Sequence, residues 1–130
     1  MKHIAIALLL VLQGCAVLAP PDDWTRGDTA SEIAWQAMNF VDYRQTVDIQ
    51  RHPNLIEANW LSQAVLGMNP GTSETAQLMM AYALGHYLVS KYLPVNARPY
   101  WHVITITGKG MTIRNNHSNG LRIDGHGHEQ

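Results

Sequence analysis

Val103-Ile104-Thr105-Ile106-Thr107-Gly108-Lys109-Gly110-Met111-Thr112-Ile113-Arg114 can be read in two ways, and the choice sets the fold. Val103 to Thr107 and Met111 to Arg114 are rich in β-branched residues, and the Gly-Lys-Gly between them is turn chemistry, so by propensity 103–114 is a β-hairpin. At helical spacing, however, Trp101, Ile104, Thr105, Gly108, Met111, Thr112 and Asn115 fall on one stripe. Each internal glycine weighs against helix by about 1 kcal/mol relative to alanine. Periodicity leaves both open: a mainly α domain, a small bundle of about three helices, or an α+β domain ending in a hairpin.

The segment before it is helical by any reading. Thr72 or Ser73 can cap a helix that runs to Leu93 and stops at Pro94, and Ala76 to Val89 is apolar almost all round. Such a helix is buried, in protein or in lipid. The stretch between Gln77 and Lys91 contains His86 and Ser90 and falls short of the roughly 18 apolar residues expected of a span, which favours a protein core. Further upstream, Thr29-Ala30-Ser31-Glu32 fits a capping box that opens a helix from about Ala30 to Gln50. Ile33, Ala37, Phe40, Val41 and Val47 recur at helical spacing as its core face, and His52-Pro53 closes it. Between the two helices Asn59 can cap a short helix, Trp60 to Leu66, ended by Gly67, and Asn69-Pro70-Gly71 is a turn.

The start has export anatomy: Lys2 and His3, an apolar run from Ile4 to Leu12, then Leu12-Gln13-Gly14-Cys15. This resembles the lipobox of bacterial lipoproteins, which implies cleavage before Cys15 and lipid on its sulfur and amine. Two or three chains hold a protein to a membrane stably, at about 0.8 kcal/mol per buried methylene. Ala16, where a retained lipoprotein would carry aspartate, favours the outer membrane, facing the periplasm. Residues 1–14 are then the signal peptide, 15–28 a tether stiffened by Pro20-Pro21, 29–118 the helical domain and 119–130 a loose, glycine-containing tail. Trp24 is an unusual residue for a tether.

Composition narrows the rest. With 130 residues, formal net charge −1 and 46% hydrophobic content, the mature part is one small domain. Its Lys and Arg are scattered, which excludes nucleic acid as a partner. A single cysteine excludes an internal disulfide.

Asp42-Tyr43-Arg44-Gln45-Thr46, Glu57-Ala58-Asn59, Leu66-Gly67, Gly85-His86, Leu93-Pro94, Arg98, Trp101 and Asn116 resemble a family of short uncharacterised proteins of bacteria, phages and prophages. The resemblance covers about Ala30 to Leu121. It implies a compact helical or membrane-associated bundle and tilts 103–114 towards helix; it implies no activity. Asn59-Trp60 departs from the family's Asn-Pro, so the connection there is built differently.

The residues able to carry chemistry form stripes. Asp42, Gln45 and Thr46 share one helical face beside Trp35 and Met38, and read as a buried hydrogen-bond network with Glu57, Asn59, His86 or Asn116 opposite. Tyr82, His86 and Ser90 form a second stripe that would face Asp42 if the helices pack antiparallel, which is the start of a general base. No nucleophile completes it, since Cys15 is lipidated and no serine sits in a Gly-x-Ser-x-Gly elbow. His126-Gly127-His128 is a weak chelate in a tail that nothing organises, so no metal or other cofactor is expected. The expectation is a lipid-anchored envelope protein, not an enzyme, that binds an envelope protein or plays a structural part. The resemblance adds superinfection exclusion or lysis as settings. Two alternatives stand beside it: a membrane-embedded helical module in which Gly85 permits close helix approach, and a small enzyme using Asp42 and His86.

Overall fold

Thr25, not Thr29, opens the first helix. In the computed structural model, which describes residues 21–49, 63–64 and 71–123, α1 runs Arg26–Asp48. The Thr25 hydroxyl accepts from the Asp28 N–H at 3.0 Å and the Asp28 carboxylate accepts from the Thr25 N–H at 2.9 Å. This box lies about one turn ahead of the one expected, so the helix starts inside the segment read as tether. Thr29 bonds back to the Thr25 carbonyl, and Glu32 is turned into the interior.

Helix α2 spans Thr72–Tyr92 and α3 spans Arg98–Ser118, with Leu93-Pro94 ending the former and a proline in the first turn of the latter. The described residues contain no strand, and among them α1, α2 and α3 form a small helical bundle; the hairpin at 103–114 is not formed. Its threonines are accommodated in helix by bonding back one turn, Thr105 to the Trp101 carbonyl at 2.8 Å and Thr112 to that of Gly108 at 3.2 Å. At Gly110 a Cβ would come within 3.2 Å of the Met38 methyl on α1, which would have to give by a few tenths of an ångström.

The helices run up, down and up. Antiparallel α1 and α2 are tied by Gln36 Nε2 donating to the Ala83 carbonyl at 3.0 Å and Asn39 Nδ2 to that of Met79 at 2.9 Å. Parallel to α1, α3 sets Asp28 near Arg98 at one end and Asp48 near Arg122 at the other. The end of α3 is a Schellman cap: the Leu121 N–H donates to Asn116, that of Gly120 to His117, and Gly120 takes φ +93°. Leu121 is buried and Arg44 Nε donates to the Ile123 carbonyl at 3.1 Å, so the stretch expected to be loose from Asn119 is fastened as far as Ile123.

What fills the bundle reverses the expectation. The buried positions of α1 are Asp28, Glu32, Trp35, Asn39, Asp42, Gln45, Thr46 and Asp48, with Ile49 at its C-cap; those of α2 are Thr75, Met79, His86 and Ser90, and those of α3 are Arg98 and His102. The largest fully buried side chains are Arg98, Gln45, Thr75 and Ser90. The apolar residues face outward: Phe40 is 60% exposed, Met80 71% and Val103 65%, and Ile33, Leu84, Ile104 and Met111 join them. Ile33, Ala37 and Phe40 therefore form the outer face of α1 rather than its core face, and α2 is not a core helix buried all round. Gly85 also faces outward, with open space where a Cβ would stand, so it is not a close-approach site.

Two glycines on α3 should respond oppositely to alanine. Gly108→Ala meets nothing within 4 Å and gains helix propensity, so it should stabilise by up to about 1 kcal/mol. Gly120→Ala must hold a left-handed φ and should destabilise by about 1–2 kcal/mol. Midpoints of thermal or denaturant unfolding check both.

Candidate functional site

The polar side chains meet in two centres along the bundle axis. The first is built from Glu32 on α1, His86 on α2 and Thr105 and His102 on α3. His86 Nδ1 lies 2.9 Å from Glu32 Oε2 and Nε2 lies 2.9 Å from Thr105 Oγ1. Its ring stacks on Trp35, with centroids 3.9 Å apart, and lies 5.3 Å from that of Trp101. Glu32 also accepts from Gln36 at 2.7 Å and from the Ser90 hydroxyl at 3.2 Å. His102 Nε2 is 3.7 Å from Asp28 Oδ1, and neither His102 ring nitrogen has a hydrogen-bond partner although the side chain is buried. Glu32, His86 and His102 each place one potential ligand atom within 4.8 Å of the others.

Arg98 closes this end. Its Nε–H is shared between the Ser90 and Leu93 carbonyls at 3.0 and 3.1 Å. The guanidinium also donates to the Lys91 carbonyl at 3.4 Å, to the Asp23 carbonyl at 3.2 Å and to the Asp23 carboxylate at 2.8 Å. It satisfies carbonyls that α2 leaves unpaired at its C-terminus, where a cation is also favoured by the helix dipole. Trp24, noted as odd in a tether, packs at 5.7 Å from Tyr87 and 5.4 Å from the guanidinium. Asp23 and Trp24 are thus part of the domain.

The second centre is the Asp42 network. Lys109 Nζ donates to Asp42 Oδ2 at 2.8 Å and to Asn39 Oδ1 at 3.2 Å, and Asn116 Nδ2 donates to Asp42 Oδ1 at 3.1 Å. Gln45 Nε2 donates to the Ile113 carbonyl at 3.3 Å. No known protein family, curated protein or solved structure matches this chain. Asp42 and Asn116 are joined directly, Gln45 bonds the Ile113 carbonyl, and Thr46 is buried on α1. His86 does not join this network. The antiparallel register sets Glu32, not Asp42, opposite His86, and Asp42 lies about 15 Å further along the axis at 1.5 Å per residue. The Asp42–His86 pair that a general base would need is not assembled.

Cys15, Glu57, Asn59, His126 and His128 lie outside the described residues, as do most of the short 60–66 helix and the turn at 69–70; Gln63 and Ala64 of that stretch are helical. Sequence reasoning gave Glu32 only a capping role and Arg98 only a place in the resemblance, and gave Asp28, His102 and Lys109 no site role. A groove of about 240 Å³ between α2 and α3, lined by Gly85, His86, Val89, Trp101 and Thr105 among others, leads to the first centre.

Proposed function

We propose that this chain is a bacterial envelope lipoprotein, held by lipid on Cys15, whose three-helix domain is itself seated in the bilayer and acts by binding there rather than by catalysis. The observation that carries this reading is the inverted bundle: polar seam inside, apolar residues outside. In water such a molecule would expose the surface that the hydrophobic effect drives inward and bury groups whose desolvation is costly. In lipid the preference reverses, because acyl chains accept the apolar faces and helices associate through packing and interhelical hydrogen bonds.

The placement of charge gives the belt a height. Among outward-facing positions, α1 carries no charged residue between Arg26 and Arg44, α2 none between Glu74 and Lys91, and α3 none between Arg98 and Arg114, since Lys109 turns inward to Asp42. At 1.5 Å per residue these intervals are roughly 24–27 Å long, close to the roughly 30 Å of a bilayer's hydrocarbon core. No described helix is long and apolar enough to cross a membrane when judged along its whole circumference. That average counts Asp28, Glu32, Asp42, His86 and Lys109, which the bundle turns away from lipid. A domain so placed would occupy the membrane and engage another envelope component, in the settings that the phage and prophage resemblance implies, superinfection exclusion or lysis.

The test separates tether from domain. Residues 16–130 are exported behind a cleavable signal that adds no lipid, and the membranes are washed with alkaline carbonate. Retention of the processed product, with release only by detergent, is expected. Recovery in the periplasmic extract as a folded helical protein would defeat the bilayer reading and leave lipid on Cys15 as the attachment.

A further inference from the structure

We propose that Glu32, His86 and His102 form a binding site for one divalent transition-metal ion of the zinc class, with Asp28 placed beside His102. The inference is independent of whether lipid or water surrounds the bundle. It begins with His102, whose two ring nitrogens are buried without a hydrogen-bond partner. A polar group in that condition ordinarily costs about 1–3 kcal/mol, so a histidine kept there calls for a partner. Around it stand the carboxylate of Asp28 at 3.7 Å and the Glu32–His86 pair, whose donor atoms lie within 4.8 Å of it.

A metal-bound His86 keeps a full set of partners: with Nδ1 on the ion, its Nε2–H donates to the Thr105 hydroxyl, which donates in turn to the Trp101 carbonyl at 2.8 Å. Without metal the other tautomer serves, Nδ1–H donating to Glu32 and Nε2 accepting from Thr105, each at 2.9 Å, which leaves His102 as the unpartnered group of the cluster.

The surroundings are those of a metal site. His86, bonded through Nε2 to Thr105 and thence to the Trp101 carbonyl, has the outer-shell support that fixes a ligand's tautomer. Glu32 is held by Gln36 and Ser90. Two imidazoles and a carboxylate select zinc and its first-row neighbours over calcium or magnesium, and three protein ligands leave a position open for a further group. Donors about 2 Å from a common ion stand no more than about 4 Å apart, so side-chain movements of under about 1 Å close the cluster. The groove between α2 and α3 reaches the cluster at His86 and Thr105.

The experiment uses the full-length protein in mild detergent, stripped with chelator and titrated with Zn²⁺, and with Co²⁺ for its visible spectrum. One equivalent of Zn²⁺ should bind and raise the thermal midpoint. His102→Gln should weaken binding by at least about 100-fold, and Thr105→Val by about 10- to 100-fold. Metal-free His102→Gln should still unfold cooperatively with an unchanged helical circular dichroism spectrum, which separates loss of the site from loss of the fold. His126→Ala with His128→Ala should leave binding intact. Absence of stoichiometric Zn²⁺ binding, affinity unchanged in both His102→Gln and Thr105→Val, or affinity abolished by the tail substitutions would overturn the assignment.

Discussion

Arg98→Ala is expected to lower the stability of the domain by about 3–5 kcal/mol. The side chain is 2% exposed, and its loss removes the hydrogen bonds to Ser90, Lys91, Leu93 and Asp23 together. The carbonyls at the end of α2 then lose their donor, that of Ser90 in a buried position, and Asp28, 3.7 Å from the guanidinium, keeps a buried charge with no fixed cation beside it. Arg98→Lys should recover only part of the loss, because one ammonium cannot serve carbonyls on one side and a carboxylate on the other in the fixed planar geometry of a guanidinium. Arg26→Ala, at an exposed position of α1, should change stability by no more than about 0.5 kcal/mol. Unfolding in detergent followed by circular dichroism gives all three values. A loss below about 1 kcal/mol for Arg98→Ala would mean that the pocket around it relaxes, and that Arg98 is not what joins Asp23, α2 and α3.

The helices were legible in the sequence because their ends are marked locally. Pro94 stops α2, and a proline helps open α3. The inner faces do not follow the apolar pattern, because the buried positions of the described helices are mostly polar. Read for polar residues instead, the chain is regular. Asp28, Glu32, Trp35, Asn39, Asp42, Thr46 and Ile49 alternate steps of four and three, and so do Arg98, His102, Thr105, Lys109, Thr112 and Asn116. This is the spacing of a coiled-coil seam written in polar letters. It also accounts for what was found and missed in the site. Asp42, Gln45 and Thr46 are legible because polar residues at i, i+3 and i+4 share one helical face. Glu32 was assigned to a cap because it stands three after Thr29, although Asp28 stands in the same relation to Thr25. The pairing of His86 with Glu32 depends on the offset between α1 and α2, which the pattern within either helix does not contain.

The Asp42–Lys109 pair tests whether the seam is a stability device or a specificity device. Asp42→Leu alone leaves the Lys109 ammonium facing Asn39 and the rings of Trp35 and Tyr82, at 5.2 and 5.7 Å, with no carboxylate, and should cost about 3–5 kcal/mol. Lys109→Met alone strands the Asp42 carboxylate with Asn116 as a donor and should cost a similar amount. The double substitution Asp42→Leu with Lys109→Met removes both charges and replaces them with chains of similar volume, so it should lie within about 1 kcal/mol of the wild type, or above it. The coupling between the two positions is then several kcal/mol even though the pair's net contribution is near zero. The charges are kept, on this account, because they fix the register: a bundle whose outer and inner faces are both apolar at this level has many ways to slide, and a lysine that must meet one aspartate has one. The double variant should therefore retain its stability but lose the sharpness of its fold, with broadened amide signals in NMR. Equal losses in the single and double variants would show instead that the ion pair itself holds α1 and α3 together.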